Sequence, residues 1–187
     1  TTPGRSAAAA LCAVNGMQYL DSPPPHGAQY TAYLAGELSR NTANAVDICG
    51  SAVFAEDEVF YLDGYETQLC NLLSGEMKGI SLVLDGRAAA IQLKCAPRLS
   101  VRLPESPEEP PVIRVRAAVR CDDPDAGKYV EALRQDVASL LIKCQQWGAD
   151  PVGFCERARM RVWTLMDWEA LDWPELYRKA VFEIDIR

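Results

Sequence analysis

The chain has a single histidine, His26, among its 187 residues. That excludes a His-rich metal centre and leaves at most one Ser–His or Cys–His pairing. No C-x-x-C pair occurs among the seven cysteines, Cys12, Cys49, Cys70, Cys95, Cys121, Cys144 and Cys155. The close ligand spacing of zinc sites is therefore missing. No run of about 18 apolar residues exists, so nothing in this sequence reads as a bilayer span. The longest bland stretch, Ala7–Val14, is too short for a signal peptide and lacks the basic flank. Thr1–Gly4 reads as a processing boundary, which leaves room for a leader in a precursor. Positive charge is scarce: 19 Lys and Arg stand against 26 Asp and Glu, a net charge of -7. Such a surface repels nucleic acid and anionic membranes, and no nucleic-acid partner is expected. There is no G-x-S-x-G, no Gly-rich phosphate loop, no H-E-x-x-H and no EF-hand loop.

What is present is enough for a packed core, because 49% of the residues are apolar. The length suits one substantial domain, or a domain with a fragment of another. An odd number of cysteines argues against a fully paired disulfide framework. Most of them are expected as small buried apolar residues.

Residues 1–47 read as a short N-terminal segment or the remnant of a preceding domain. Ser6–Gln18 is Ala-rich and helix-like, Asp21–Gly27 is a Pro-rich loop, and Tyr30–Arg40 suits a helix. From residue 48 the pattern sharpens. Ser51–Ala55 and Val59–Leu62 are β-rich runs around an acidic turn. Asp63-Gly64-Tyr65-Glu66 has the form of a capping box, an N-cap acceptor with Glu three residues on. Tyr65, Leu69, Leu72 and Leu73 then lie on one helical face, with Gly75 at its end.

Strands follow. Ile80, Leu82 and Leu84 alternate with polar or outward positions, and Asp85-Gly86 predicts a type I′ hairpin. Ala89, Ile91, Leu93 and Cys95 form the return strand. Pro97 breaks the run before Leu99, Val101 and Leu103. Pro104–Pro111 is an acidic, Pro-rich loop. Ile113, Val115, Ala117 and Val119 face one way, and Arg114, Arg116 and Arg120 the other.

Asp123–Arg187 reads as the cover of that sheet. Asp123-Pro124 predicts a helix start. Val130, Leu133, Val137, Leu140, Leu141, Cys144 and Trp147 recur at helical spacing up to Gly148. Asp150-Pro151 predicts a second start, with Phe154, Ala158 and Val162 four apart. Trp163, Trp168 and Trp173 mark an aromatic-rich turn. Ala180, Phe182, Ile184 and Ile186 alternate to the end. The order β-β-α-β-β-β-β-α-α-β predicts an α+β fold, a mostly antiparallel sheet covered on one face by a long helix and shorter ones.

The side chains that could carry chemistry have plainer readings. Glu105, Glu108 and Glu109 sit in a proline loop with no rigid mount for paired-carboxylate work. Asp122, Asp123 and Asp125 read as helix caps rather than a calcium site. The arginines of the 113–120 strand read as its solvated face. Trp147, Trp163, Trp168 and Trp173 read as packing, the alternative being a platform for a sugar or peptide ligand. A hydrolase would have to join His26 to one of the cysteines, and no local signature selects one. No catalytic residue, ligand position, metal ligand or cofactor is assigned.

In wording and order, residues 50–187 resemble the C-terminal domain of the spore germination GerAC, or Ger(x)C, family, the lipoprotein subunit of nutrient germinant receptors. Gly50-Ser51-Ala52-Val53-Phe54 is similar to its G-T-A-V-F opening strand. Glu66-Thr67 is similar to its E-T helix start. Ala149-Asp150-Pro151-Val152-Gly153-Phe154 resembles its A-D-x-x-G-F segment, and Ala180–Arg187 its terminal V-x-V-x-V strand. The resemblance implies that 48–187 is a GerAC-like α+β domain without catalytic residues. It implies a receptor subunit on the outer face of the spore inner membrane, beside membrane-embedded A- and B-type subunits. Residues 1–47 are short of the two domains that precede this one in the family, and Cys12 has no lipobox context.

Overall fold

The computed structural model describes residues 32–37, 47–55, 58–104, 106 and 109–187. The expected helix at Ser6–Gln18, the Pro-rich loop, His26, Cys12, Glu105 and Glu108 lie outside the described residues. The chain divides into two compact units, Thr1–Thr67 and Gln68–Arg187.

The first unit is an antiparallel meander of β1 (Ala32–Glu37), β2 (Asp47–Ala55) and β3 (Glu58–Asp63). A helix was expected at Tyr30–Arg40; Ala32–Glu37 is instead a strand paired to β2 from Ala32↔Val53 to Glu37↔Asp47. Ladder hydrogen bonds to a neighbouring strand outweigh a weak helical spacing. Gly50 is required where β2 passes β3: a Cβ there would collide with the Leu62 carbonyl oxygen.

The helix α1 (Gly64–Ser74) starts with the expected capping box. Glu66 N–H donates to Asp63 Oδ1 at 2.7 Å, and Asp63 N–H donates back to Glu66 Oε2 at 3.0 Å. Thr67 Oγ1 donates to the Asp63 carbonyl at 2.7 Å and lies 2.7 Å from Ser51 Oγ. Since the Thr67 proton is committed to Asp63, Ser51 is the donor to Thr67. Both residues are buried, so this small network joins β2 to the helix start through satisfied hydroxyls.

In the second unit, β4 (Gly79–Leu84) and β5 (Arg87–Leu93) form the expected hairpin. Asp85 and Gly86 both take positive φ, 51° and 76°, which is the type I′ turn. Strands β6 (Arg98–Arg102), β7 (Val112–Ala117) and β8 (Val119–Cys121) follow; β8 completes the three-stranded sheet β4-β5-β8, and β6 and β7 belong to a second. β5 pairs with β8 and β6 with β7, both antiparallel. The ladders meet at Ala118, where the Lys94 N–H donates to the Ala118 carbonyl and the Arg187 N–H to that of Ala117. Ile113, Val115, Ala117 and Val119 are buried as their alternation requires.

The long helix α2 (Ala126–Trp147) lies over β9 (Val181–Ile186), β8, β4 and β5. Its buried side chains are Tyr129, Leu133, Val137, Leu140, Leu141 and Cys144, spaced three and four apart. Each fully buried aliphatic side chain contributes roughly 1.5–3 kcal/mol. The start differs from expectation by two residues. Asp123 accepts the Asp125 N–H at 2.8 Å in a local turn, and the helix begins after Asp125. Gly148, left-handed at φ 67°, ends it.

Three short helices follow: α3 (Phe154–Arg159), α4 (Leu165–Glu169) and α5 (Trp173–Lys179). Thr164 and Asp172 cap α4 and α5. These helices carry the chain back to the start of β7, so β9 pairs with β7 in parallel, from Val112↔Val181 to Ala117↔Ile186. This is the parallel exception in an antiparallel-dominated α+β fold. Gln145 fixes the return. Its side-chain amide donates to the carbonyls of Tyr177 at 3.1 Å, which also accepts the Ala180 N–H, and of Ala180 at 2.7 Å.

Thr67→Val leaves the Ser51 hydroxyl buried without its acceptor and is expected to cost about 1–3 kcal/mol. Ser51→Ala with Thr67→Val removes both groups and should cost clearly less than the two single changes summed. Urea unfolding of the four proteins of this cycle measures the coupling; additive losses would show that the two hydroxyls do not interact.

Candidate functional site

The second unit turns on the junction between α2 and α3. Ala149, Asp150 and Phe154 are each 0% exposed. Asp150 is the charged-type side chain buried here, and its carboxylate is met by backbone donors. Gly153 N–H donates to Oδ1 at 3.0 Å and Cys155 N–H to Oδ2 at 2.6 Å. The expectation of Asp150 as N-cap is corrected by one turn: the N-cap is Gly153, left-handed at φ 81°. Asp150 therefore clamps the turn that delivers Phe154 into the core. Gly153 suits that turn because other residues are strained at such a φ.

Burial raises the Asp150 pKa to about 6, against the pull of the N–H groups of Phe154, Cys155 and Gly153 toward the charged form. Burial, together with the neighbouring Asp150 and Glu156 charges, pushes the Cys155 thiol up to about 12. A thiol held protonated in this way is a poor nucleophile.

Phe154 anchors an aromatic cluster. Its ring lies 6.4 Å from those of Tyr177 and Phe182, and Tyr177 meets Phe182 edge-on at 5.9 Å. Trp173 continues the cluster, 6.0 Å from Tyr177 and 6.2 Å from Trp168. Trp147 lies elsewhere, under the Lys143 ammonium at 5.1 Å. The four tryptophans thus form no shared ligand platform. Trp173 is buried, Trp168 packs on it, and Trp163 stands 98% exposed.

Trp163 belongs to the largest apolar exposure among the described residues. Met160 is 86% exposed, Met166 80% and Leu165 58%, all within seven positions. The α3 face bearing Phe154 and Ala158 is buried, which turns Met160 outward. Trp163 reads as packing in the sequence, and no periodicity there marks it as exposed.

The remaining candidates are dispersed. Asp122 pairs with Arg120 at 2.8 Å, and Asp125 with Lys128 at 3.1 Å, which gives these carboxylates local roles. Arg114 pairs with Glu183 across β7 and β9. Glu109 pairs with Arg102 at 3.2 Å. Cys70 and Cys144 are buried as expected, but Cys95 is exposed and Cys121 and Cys155 are half-buried. A shallow hollow of ≈ 270 Å³ lies beside β5, between Ala88–Ala90 and Arg120–Pro124. No described group of three or more His, Cys, Asp and Glu could hold a metal ion.

Because the folded state favours neutral Asp150, its contribution is full below the ordinary pKa of 3.8 and is lost as pH rises through about 6. Asp150→Asn removes that titration. Between pH 4 and pH 7 the variant should gain on the wild type by on the order of 3 kcal/mol. Urea midpoints at several pH values measure this; parallel pH profiles would contradict it.

No protein-family model matches the chain. No curated protein matches it in sequence. Among solved structures, the crystal structure of the GerBC protein matches with a TM-score of 0.62 at 17% identity. The match covers 84% of this chain, which spans only 55% of that one. At such identity the likeness is one of fold. The chain has a Ger(x)C-like fold.

Proposed function

We propose that this chain is the C-terminal part of a spore nutrient germinant receptor C subunit, acting as a non-enzymatic assembly and binding module. The observation that carries the reading is the match to GerBC over 84% of the chain. It is supported by where the resembling motifs fall. Gly50, Thr67, Asp150 and Gly153 each meet a structural demand of this fold: a close strand approach, a buried hydroxyl pair, and a clamped left-handed turn.

In this reading residues 48–187 are the GerAC-like domain, and 1–47 are a short N-terminal segment or the remnant of a preceding domain. The subunit is a lipoprotein of the spore inner membrane, held on its outer face beside membrane-embedded A- and B-type subunits. No described helix is long and apolar enough to cross a membrane. The raised Cys155 pKa and the local pairing of Asp122 and Asp125 agree with a module without catalysis.

Deleting the gene in its spore-forming host should abolish germination with one class of nutrient while leaving germination by non-nutrient triggers intact. An epitope-tagged copy should fractionate with the inner membrane and co-purify the two polytopic subunits. Unimpaired nutrient germination, together with a tagged protein that co-purifies neither, would overturn the reading.

A further inference from the structure

Between Arg157 and Met166 the chain carries three arginines, Arg157, Arg159 and Arg161, and no carboxylate. Its net charge elsewhere is strongly negative, since the whole chain stands at -7. None of the three arginines is ion-paired among the described residues. Glu156 precedes them. The next acid downstream, Asp167, is turned back onto the cap of α4, where Thr164 Oγ1 donates to it at 2.7 Å. Interleaved with the arginines and following them are the exposed Met160, Trp163, Leu165 and Met166.

The two chemistries are suited to different depths of one environment. Guanidinium groups pair with phosphate oxygens, and they do so bidentately. Indole prefers the boundary where one end is apolar and the other wet. Methionine and leucine gain from entering the acyl layer beneath. A segment whose exposed Trp, Met and Leu alternate in the chain with arginines not ion-paired among the described residues therefore matches the headgroup–acyl boundary of an anionic bilayer. Charge complementarity also sets the orientation, because the remainder of the acidic chain is repelled by such a surface. We propose that the segment Arg157–Met166 is a peripheral docking surface for anionic lipid, with Trp163 and Met166 entering the interface and the arginines holding phosphate. This inference rests on that segment alone and does not depend on the receptor reading.

The test is co-sedimentation of the full chain with phosphatidylcholine vesicles, alone or mixed with phosphatidylglycerol. Wild type should sediment with the mixed vesicles, weakly with phosphatidylcholine alone, and less as salt rises. Arg159→Glu with Arg161→Glu should weaken binding to mixed vesicles at least about tenfold. Trp163→Ser should weaken it even at low salt. Every changed side chain is exposed, so the variants should melt with the wild type; Met166→Ser replaces any that does not. Absence of sedimentation, or sedimentation that these changes leave untouched, would overturn the proposal. Concentration-dependent dimerisation lost in Trp163→Ser would also overturn it, by making a second copy the occupant.

Discussion

A buried carboxylate at a chain reversal constrains the second unit more than any other single group. Asp150 sits at 0% exposure between the longest helix and the first of the short ones. An ionisable group in such a place is costly unless donors meet it, and here the backbone supplies them at Gly153 and Cys155. The same turn sends Phe154 toward Tyr177 and Phe182. Through Tyr177 it reaches α5, and through Phe182 it reaches β9. The parallel return of β9 along β7 thus depends on a turn some thirty residues earlier in the chain. Gln145 works at the same junction from the α2 side, by occupying the last carbonyls of α5.

The buried side chains of Ser51, Thr67 and Asp150 all serve backbone or one another. The chain's paired surface charges are local or cross-strand. What remains uncommitted is at the surface: exposed apolar side chains between Met160 and Met166, next to unpaired arginines. Likeness to GerBC is a likeness of fold, so the features that turn a scaffold to use are to be sought in that uncommitted surface.

Much of the fold was legible because alternation and capping are local. The type I′ hairpin at Asp85-Gly86, the capping box at Asp63 and Glu66, and the stripe from Leu133 to Cys144 all depend on residues a few positions apart. The misread parts depend on partners far along the chain. Ala32–Glu37 is a strand because β2 pairs with it, which no nearby residue announces. Asp123 and Asp150 carry the signature of N-caps, yet each acts two or three residues earlier, by closing a loop before its helix. The parallel direction of β9 is set by the path of three short helices, not by its own alternation. Exposure of Trp163 and Met166 was illegible for a related reason: a tryptophan or methionine in a sequence reads as core until the packing around it is known.

If the Asp150 carboxylate holds the α2–α3 junction together, native-state amide exchange at Gly153 and Cys155, followed residue by residue in the 20.6 kDa chain, should reveal it. Both amides should exchange as slowly as those in the middle of α2, and Asp150→Ala should expose both while α2 stays protected. Fast exchange of Gly153 and Cys155 in the unaltered protein would contradict it.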